Sequence, residues 1–365
     1  MTITIVAGAR PNFVKIAPII HQLNKAIENG APLRYKLVHT GQHYDKNLSG
    51  SFFEQLGIPE PDVNLDVKSG TQSEQTANIM IRFEAYLADH PTDLVLVVGD
   101  VNSTMACSIV AKKMGAKLAH VEAGIRSGDL RMPEEINRIV TDSLADYFYT
   151  TSPKATKQLI ALGVDTDRIQ FVGNVMIDSL LQNQSRLTKP AFWEALNLNA
   201  TPYWVLTLHR PSNVDKEAVF CDLMRTIATQ SGGYPVIFPA HPRTKKILEE
   251  TDTLFDNLYL VEPLGYLSFI YLVKHAMGVL TDSGGITEEA SILNVPCLTF
   301  RENTERPETI ELGTNVLVGS DRELIESSFK SVLEGNWKQG QPIPLWDGEA
   351  AHRIVAHILT LAQDS

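Results

Sequence analysis

The chain has 365 residues, enough for two domains, with 44% hydrophobic and 21% charged residues and with 23 Gly and 19 Pro spread along it. That composition excludes collagen-like, coiled-coil and disordered chains. Against 43 Asp and Glu stand only 32 Lys and Arg, a formal charge of −11, which argues against electrostatic capture of nucleic acid or of an anionic membrane. The three cysteines, Cys107, Cys221 and Cys297, lie far apart; they form no disulfide framework and no Cys-based zinc site, and they fit a reducing cytoplasm.

The N-terminal stretch MTITIVAGARPNFVKIAPII carries Arg10 and Lys15 inside its apolar run and lacks a basic start. It reads as a first strand and turn, not a signal peptide. No window reaches the run of about 18 apolar residues that a membrane span needs. Strands are expected at 3–7, 35–39, 94–98, 117–121, 147–150 and 169–172, with helices at 12–28, 73–88, 103–114, 135–145 and 153–162 between them. Apolar runs of this length without alternation are what strands buried on both faces look like, and strand–helix–strand in series means a parallel sheet. The second half repeats the scheme with strands at 203–208, 234–238, 257–261, 278–281, 296–300 and 315–318. Residues 182–202 read as a helix and linker, and 348–362 as a terminal helix after the Pro-rich QPIPLWDG. The division expected is an N-terminal Rossmann-like domain over 1–172, a second over 173–345, and a C-terminal helix over 346–365 packing back on the first. Two doubly wound α/β domains would place a ligand cleft between the carboxyl ends of their sheets.

On that frame the chemistry should follow the strands. After the first come Gly8, Arg10 and, one turn on, Lys15; the third glycine of a dinucleotide fingerprint is missing, and two cations at a helix N-terminus suit an anionic group, although either alone reads equally as solvated. After 94–98 comes Asp100, which alone reads as belonging to a helix cap; after 117–121 comes Glu122, and Glu134-Glu135 opens a later helix. Glu135 reads as a first-turn acid favoured by the helix dipole. His120 and Glu122 are two apart on a strand, but no third ligand has matching spacing, so no metal is expected. Asp100, Glu122 and Glu134 together, at the loop edge of one sheet, suit proton transfer better than capping.

The second half supplies cations and glycines. His209-Arg210 follows one strand, and Ser283-Gly284-Gly285 opens a helix after another. Such a turn offers free backbone N–H groups to a pyrophosphate, and Glu289, a turn further in, is placed for the hydroxyls of a ribose. Arg301 and Arg306 follow the strand at 296–300. A nucleotide-diphosphate site facing carboxylates is the reading these residues support.

The segments GARPNFVKIAPI (8–19), TGQHYD (40–45), VVGDVNST (97–104), HVEAGIRSGD (120–129), PEEINR (133–138), GN (173–174), LHR (208–210), LTDSGGITEEA (280–290) and TERPE (304–308) resemble the non-hydrolysing UDP-N-acetylglucosamine 2-epimerases in order and spacing, over essentially the whole chain. The resemblance implies a GT-B fold, a homodimer, a cytoplasmic enzyme that needs neither metal nor nicotinamide, and interconversion of UDP-N-acetylglucosamine and UDP-N-acetylmannosamine for surface polysaccharides. It implies acid/base chemistry on Asp100, Glu122 and Glu134 with His209 beside the pyrophosphate. It implies phosphate and ribose binding on Arg10, Ser283, Gly284 and Glu289, with Lys15 and Arg306 in the same cleft and Phe269 near the uracil. Gly285, Arg210 and His43 complete the expected substrate contacts.

Four segments depart from the family pattern. Pro211-Ser212-Asn213 follows His209-Arg210 where Arg-Glu-Asn or Arg-Glu-Ser is usual, PAHPRT replaces Pro-Val-His-x-Asn-Pro, Asn12 stands where Glu is common, and 66–76 aligns poorly with the region that binds a second substrate molecule. The competing readings are an epimerase of a UDP-2,3-diacetamido uronate, a GT-B glycosyltransferase, a hydrolysing epimerase and a non-catalytic UDP-sugar sensor.

Overall fold

In the computed structural model, residues 1–41, 53–214, 217–240, 248 and 255–363 are described, with the backbone alone at 211 and 212. They divide into two compact units, Met1–Gln182 with Pro344–Ser365, and Asn183–Ile343. Among the described residues no helix is long and apolar enough to cross a membrane.

Unit 1 holds strands β1 (Thr2–Ala7), β2 (Arg34–His39), β3 (Val63–Asn64), β4 (Leu94–Val98), β5 (Lys117–Val121), β6 (Tyr147–Thr150) and β7 (Ile169–Phe171). Their order across one sheet is β3-β2-β1-β4-β5-β6-β7, and every pairing is parallel. All five residues of β4 are buried, as an apolar run without alternation requires when helices cover both faces. Those helices are α1 (Arg10–Glu28), α2 (Gln72–Asp89), α3 (Asn102–Lys113), α4 (Pro133–Leu144), α5 (Pro153–Ala161), α6 (Val175–Gln182) and α13 (Ala350–Gln363). Pro11 sits in the first turn of α1, where its missing N–H costs nothing.

Pro18, inside α1, is different: it removes the N–H that would bond the Val14 carbonyl. The Ser179 hydroxyl of α6 donates to that carbonyl instead, at 2.5 Å. The neighbouring Asp178 carboxylate takes the N–H groups of Ala350 (3.1 Å) and Ala351 (2.7 Å), the first turn of α13. Consecutive residues of α6 thus fasten α1 and α13. This is why the first unit runs to Gln182, whereas the sequence expectation divided the chain before α6.

Unit 2 repeats the topology. Strands β8 (Trp204–Thr207), β9 (Val236–Pro239), β10 (Leu258–Val261), β11 (Gly278–Thr281), β12 (Cys297–Thr299) and β13 (Asn315–Leu317) run in the order β10-β9-β8-β11-β12-β13, again all parallel. The helices are α7 (Pro211–Val214), α8 (Glu217–Gln230), α9 (Tyr266–Lys274), α10 (Gly284–Ile292), α11 (Pro307–Glu311) and α12 (Arg322–Leu333). The helix expected within 182–202 does not continue past α6: Gln184–Arg186 is a short 3-10 turn and 191–200 is a run of turns. Asn197, at φ 51, and the Leu198 N–H bonded to the Trp193 carbonyl (3.1 Å) close that run as a helix end would.

In each sheet one pair of neighbouring strands marks the point where the connections change direction, β1/β4 in unit 1 and β8/β11 in unit 2. The crevice beyond the carboxyl ends of such a pair is where this topology binds ligands.

A paired substitution tests the seam between β7 and the C-terminal segment. Gly173 has φ 94, and a Cβ there would lie 1.9 Å from the Leu345 carbonyl oxygen; Gly163 has φ 85 with open space around it. Gly163→Ala is expected to cost about 1 kcal/mol of stability, the strain alone, and Gly173→Ala about 2 kcal/mol or more. Chemical denaturation of the two variants measures the difference; equal losses would contradict this packing.

Candidate active site

At the carboxyl end of β1 the chain turns tightly because Gly8 leaves no room: a Cβ would lie 2.2 Å from Ser103 Oγ on α3. Asn12 then holds the turn. Its Oδ1 accepts from the N–H groups of Gly8 (3.2 Å) and Ala9 (2.9 Å), and its Nδ2 donates to the Val98 carbonyl at 3.2 Å. A glutamate could not make that last bond, so the Asn at this position ties the β1 turn to the end of β4. Arg10 is exposed beside it.

One turn along α1, Lys15 Nζ lies 2.7 Å from Glu122 Oε2, and both side chains are shielded, 13% and 3% exposed. Glu122 follows β5 in a left-handed backbone conformation, φ 69, which a side-chain-bearing residue holds at a cost of about 1 kcal/mol or more. It is kept there by the Tyr149 carbonyl, which accepts from Glu122 N (3.0 Å) and Ala123 N (3.1 Å). Gly99, after β4, packs into the same corner: a Cβ there would be 3.2 Å from Lys15 Nζ, 3.5 Å from Asn12 Nδ2 and 3.9 Å from Glu122 Oε2.

Asp100 comes next, half-buried, and forms an ion pair with Arg138 Nη2 of α4. The other arm of Arg138 reaches Glu135 Oε2 at 3.0 Å. Burial works against the Glu135 charge, yet the N–H groups of Ser127 (2.9 Å) and Gly128 (3.1 Å) and the Arg138 guanidinium hold its carboxyl below the ordinary value. Glu135 does stand in the first turn of α4, as expected, and being buried it also anchors the loop before that helix. Asn137 completes the brace, donating to the Asp100 carbonyl at 2.8 Å. Glu134, at the same helix start, is partly exposed. The metal pairing of His120 with Glu122 is closed off by geometry, since both ring nitrogens of His120 already face oxygen acceptors, Asp142 Oδ1 at 2.6 Å and the Gly99 carbonyl at 2.9 Å.

Unit 2 is organised around Asp282, fully buried after β11. Its carboxylate accepts the N–H of His209 (3.0 and 3.1 Å), the N–H of Arg210 (2.9 Å) and Asn213 Nδ2 (3.0 Å). It so clamps the β8 loop to the β11 loop, and Asn213, from the unusual Pro-Ser-Asn segment, is part of that clamp. His209 is exposed, and the Arg210 side chain returns through Nε to the Asp282 carbonyl at 3.1 Å. Ser283 N-caps α10, and Gly284 and Gly285 form its first turn with partly exposed backbone. Free N–H groups there attract anions. Glu305 stands over this turn, with Oε1 at 3.0 Å from the position of a Gly284 Cβ; its Oε2 pairs with Arg301 Nη2 at 2.5 Å. Arg306, buried, pairs with Glu288 of α10. Glu289 is buried as well, and burial, with Glu288 adjacent, pushes its carboxyl up to about 8 against the opposing Tyr266 hydroxyl. Phe269, on α9, packs against the apolar cluster around Trp193 and Tyr203.

The structure thus brings Lys15 and Glu122 together, with Gly99 and so the start of the Asp100 turn beside them, and gathers His209, Arg210, Ser283 and Gly284 around Asp282. His43, and His241 of the PAHPRT segment, lie outside the described residues. Arg138, Asn137, Glu135, Asp282 and Glu305 escaped the sequence reading as functional supports. Each stands inside a quoted motif, PEEINR, TDSGG or TERPE, one to four residues from a residue that was singled out.

Comparison with known proteins adds the following. A family model described as UDP-N-acetylglucosamine 2-epimerase matches residues 25–359. A UDP-N-acetylglucosamine 2-epimerase of Methanocaldococcus jannaschii is 41% identical over 374 residues, covering 99% of each chain. Its crystal structure in complex with UDP-GlcNAc and UDP matches with a TM-score of 0.89 over 99% of this chain and 100% of that one. A UDP-2,3-diacetamido-2,3-dideoxy-D-glucuronate 2-epimerase of Pseudomonas aeruginosa is 38% identical, covering 99% of this chain and 100% of its own. A lipopolysaccharide outer core galactosyltransferase shares the fold alone, at 14% identity and a TM-score of 0.55 over 99% of this chain and 100% of its own. The fold class is the expected one, two Rossmann-like parallel-sheet units of GT-B type.

The Asp282 clamp makes its own demand. In Asp282→Asn an amide N–H would face the donors that now converge on the carboxylate, so we expect a loss of about 3 kcal/mol in chemical denaturation. An unchanged unfolding curve would contradict the clamp.

Proposed function

The chain belongs to the UDP-N-acetylglucosamine 2-epimerase family, and from that premise we propose that it inverts carbon 2 of UDP-N-acetylglucosamine, forming UDP-N-acetylmannosamine. The hydrogen on carbon 2 is not next to a carbonyl carbon, so a base cannot remove it unaided. Removing it while the bond from carbon 1 to the diphosphate breaks leaves 2-acetamidoglucal and UDP. UDP then adds back at carbon 1 as a proton reaches carbon 2 from the opposite face. Two faces need two proton-handling groups.

The observation that carries this reading is the Lys15–Glu122 pair at the β1/β4 switch point, with the Arg138–Asp100 pair on the adjoining turn. Each carboxylate is held in place by a cation, Glu122 by Lys15 and Asp100 by Arg138. Asp100 or Glu122 is the base in this reading. Glu134, at the start of α4, serves the other face. In unit 2 the Ser283 hydroxyl, the amides of Gly284 and Gly285, the side chains of Arg210 and Arg306, and His209 take the diphosphate; the Ser283 N–H is already bonded to Thr281 Oγ1 at 3.0 Å. Glu289 takes the ribose hydroxyls and Phe269 lies against the uracil. Arg10, exposed at the start of α1, is an anion-binding residue in this reading; preorganised donors to a departing diphosphate contribute about 3–4 kcal/mol each.

The active species in this reading is a cytoplasmic homodimer supplying precursors for surface polysaccharide. The helix at 103–114, α3, is buried between α2 and α4 within its own unit. Leu130, Ile136 and Ile139, 67%, 46% and 40% exposed, give the start of α4 an apolar surface better suited to a second copy.

Purified protein incubated separately with UDP-N-acetylglucosamine and with UDP-2,3-diacetamido-glucuronate, the products resolved by anion-exchange chromatography, tests the substrate. Epimerisation of the first is expected. Turnover of the second alone would assign the chain to the function of the Pseudomonas aeruginosa relative instead. Glu134→Gln should lower kcat by about 100-fold or more; full activity would remove Glu134 from the mechanism.

Glu289 yields a pH prediction. Its carboxyl is raised to about 8, so near neutrality the unliganded protein holds a proton there. Two ribose hydroxyls donating to it favour the carboxylate, so UDP binding releases that proton. Affinity for UDP should therefore rise with pH up to about 8 and level off above it. Calorimetry near pH 7 in buffers of different ionisation enthalpy should show proton release for the wild type and none for Glu289→Gln. Equal release from both would contradict the assignment.

A further inference from the structure

His120 lies in β5 with no exposure to solvent. Its Nδ1 is 2.6 Å from Asp142 Oδ1 on α4, and its Nε2 is 2.9 Å from the carbonyl oxygen of Gly99. A carbonyl only accepts. Asp142 is also acting as an acceptor, since its Oδ2 takes the Gly124 N–H at 3.0 Å and Arg126 Nη1 at 2.6 Å. Burial opposes the Asp142 charge, but His120 and Arg126 hold its carboxyl below the ordinary value. A neutral imidazole has one N–H and satisfies one of two such acceptors; an imidazolium satisfies both. Both contacts are direct and His120 is wholly buried.

The remaining surroundings agree. Across the sheet His120 is in register with Val97 on β4 and Phe148 on β6, both apolar. The charged groups nearby meet opposite partners: Asp142 meets Arg126 as well as His120, Glu122 meets Lys15, and Arg138 meets both Asp100 and Glu135.

The two turns that this pair grips are the two that carry the carboxylates. Gly99, whose carbonyl His120 holds, is in a left-handed conformation (φ 70) and directly precedes Asp100. Gly124, whose N–H Asp142 holds, closes the turn begun by Glu122, itself at φ 69. Arg126, on the far side of Asp142, fixes the chain beyond that turn. One buried ion pair thus spans both.

We propose that His120 serves as a permanently protonated, buried imidazolium which, paired with Asp142, positions the Asp100 and Glu122 carboxylates for proton transfer at carbon 2. It is a positioning residue: it touches neither substrate nor the reacting atoms. Its charge state stands on the hydrogen-bond geometry alone, and its kinetic consequence rests on the epimerase reading above.

The test has a spectroscopic and a kinetic arm. In wild-type protein labelled with 15N at the histidine ring nitrogens, observed at about pH 8, well above the ordinary histidine pKa of about 6.5, one histidine should carry protons on both nitrogens. Those signals should vanish in His120→Gln. Only singly protonated rings at that pH would overturn the imidazolium.

For the kinetics, rates are expressed per UDP-binding site counted by calorimetry, so that a misfolded fraction does not register as lost activity. His120→Phe should then lower kcat by about 100-fold with KM little changed, because the groups that bind UDP are untouched. His120→Gln, which keeps an N–H for the Gly99 carbonyl, should recover part of that loss. A His120→Phe protein turning over at the wild-type rate per site would overturn the positioning role. Wild-type protein inert toward UDP-N-acetylglucosamine would overturn the epimerase reading instead, and the imidazole signals would still decide the charge of His120.

Discussion

Two carboxylates at the carboxyl edge of the first sheet, Glu122 and Asp100, are each met by a cation from a neighbouring helix, and unit 1 is arranged around those two pairs. Lys15 reaches Glu122 from the first turns of α1, so the start of that helix must lie against the ends of β4 and β5. Gly8 permits the approach and Asn12 secures it. Arg138 reaches Asp100 from α4 and is itself steadied by Glu135. Removing one partner from such a pair leaves an uncompensated charge, which costs about 3–5 kcal/mol. The contacts that meet these carboxylates therefore also hold the helix–strand junctions of the unit in place.

Unit 2 inverts the arrangement on the same topology. There a buried carboxylate, Asp282, is consumed by backbone and side-chain donors, and its work is to hold two loops together. Around it cations gather: the N-terminus of α10 and three arginines, Arg210 and Arg301 paired to Glu305 and Arg306 to Glu288. A leaving diphosphate needs that kind of environment. A net charge of −11 on the whole chain makes the local gathering of cations the more informative feature, since nothing in the overall field would attract an anion.

Much of this was legible in the sequence because parallel strands buried on both faces are unbroken apolar runs. LVLVV at 94–98 and GVLT at 278–281 could be read to the residue. The short polar-flanked strand Val63–Asn64 could not, being two residues long and created by its pairing with β2. The turns at 191–200 carry helical spacing, but Asn197 and the loop closure at Leu198 end the helix before it forms. The candidate residues were found because they follow strands. Their partners were not, because nothing local marks them. Glu135 looks like no more than a first-turn acid until Ser127 and Gly128 are seen to donate to it. His120 looks like an ordinary core histidine until both of its neighbours prove to be acceptors. The extent of the first unit depended likewise on a tertiary contact, Ser179 replacing the N–H that Pro18 lacks.

The central claim is that the carboxylates of unit 1 exchange a proton at carbon 2 while the nucleotide leaves and returns. Proton NMR of the purified protein with UDP-N-acetylglucosamine in heavy water, with neither metal nor NAD added, tests it most directly. The account expects a UDP-N-acetylmannosamine anomeric signal to grow, with deuterium entering carbon 2 of both epimers. Epimerisation that retained the original hydrogen at carbon 2, or release of free N-acetylmannosamine with an equal amount of UDP, would contradict it.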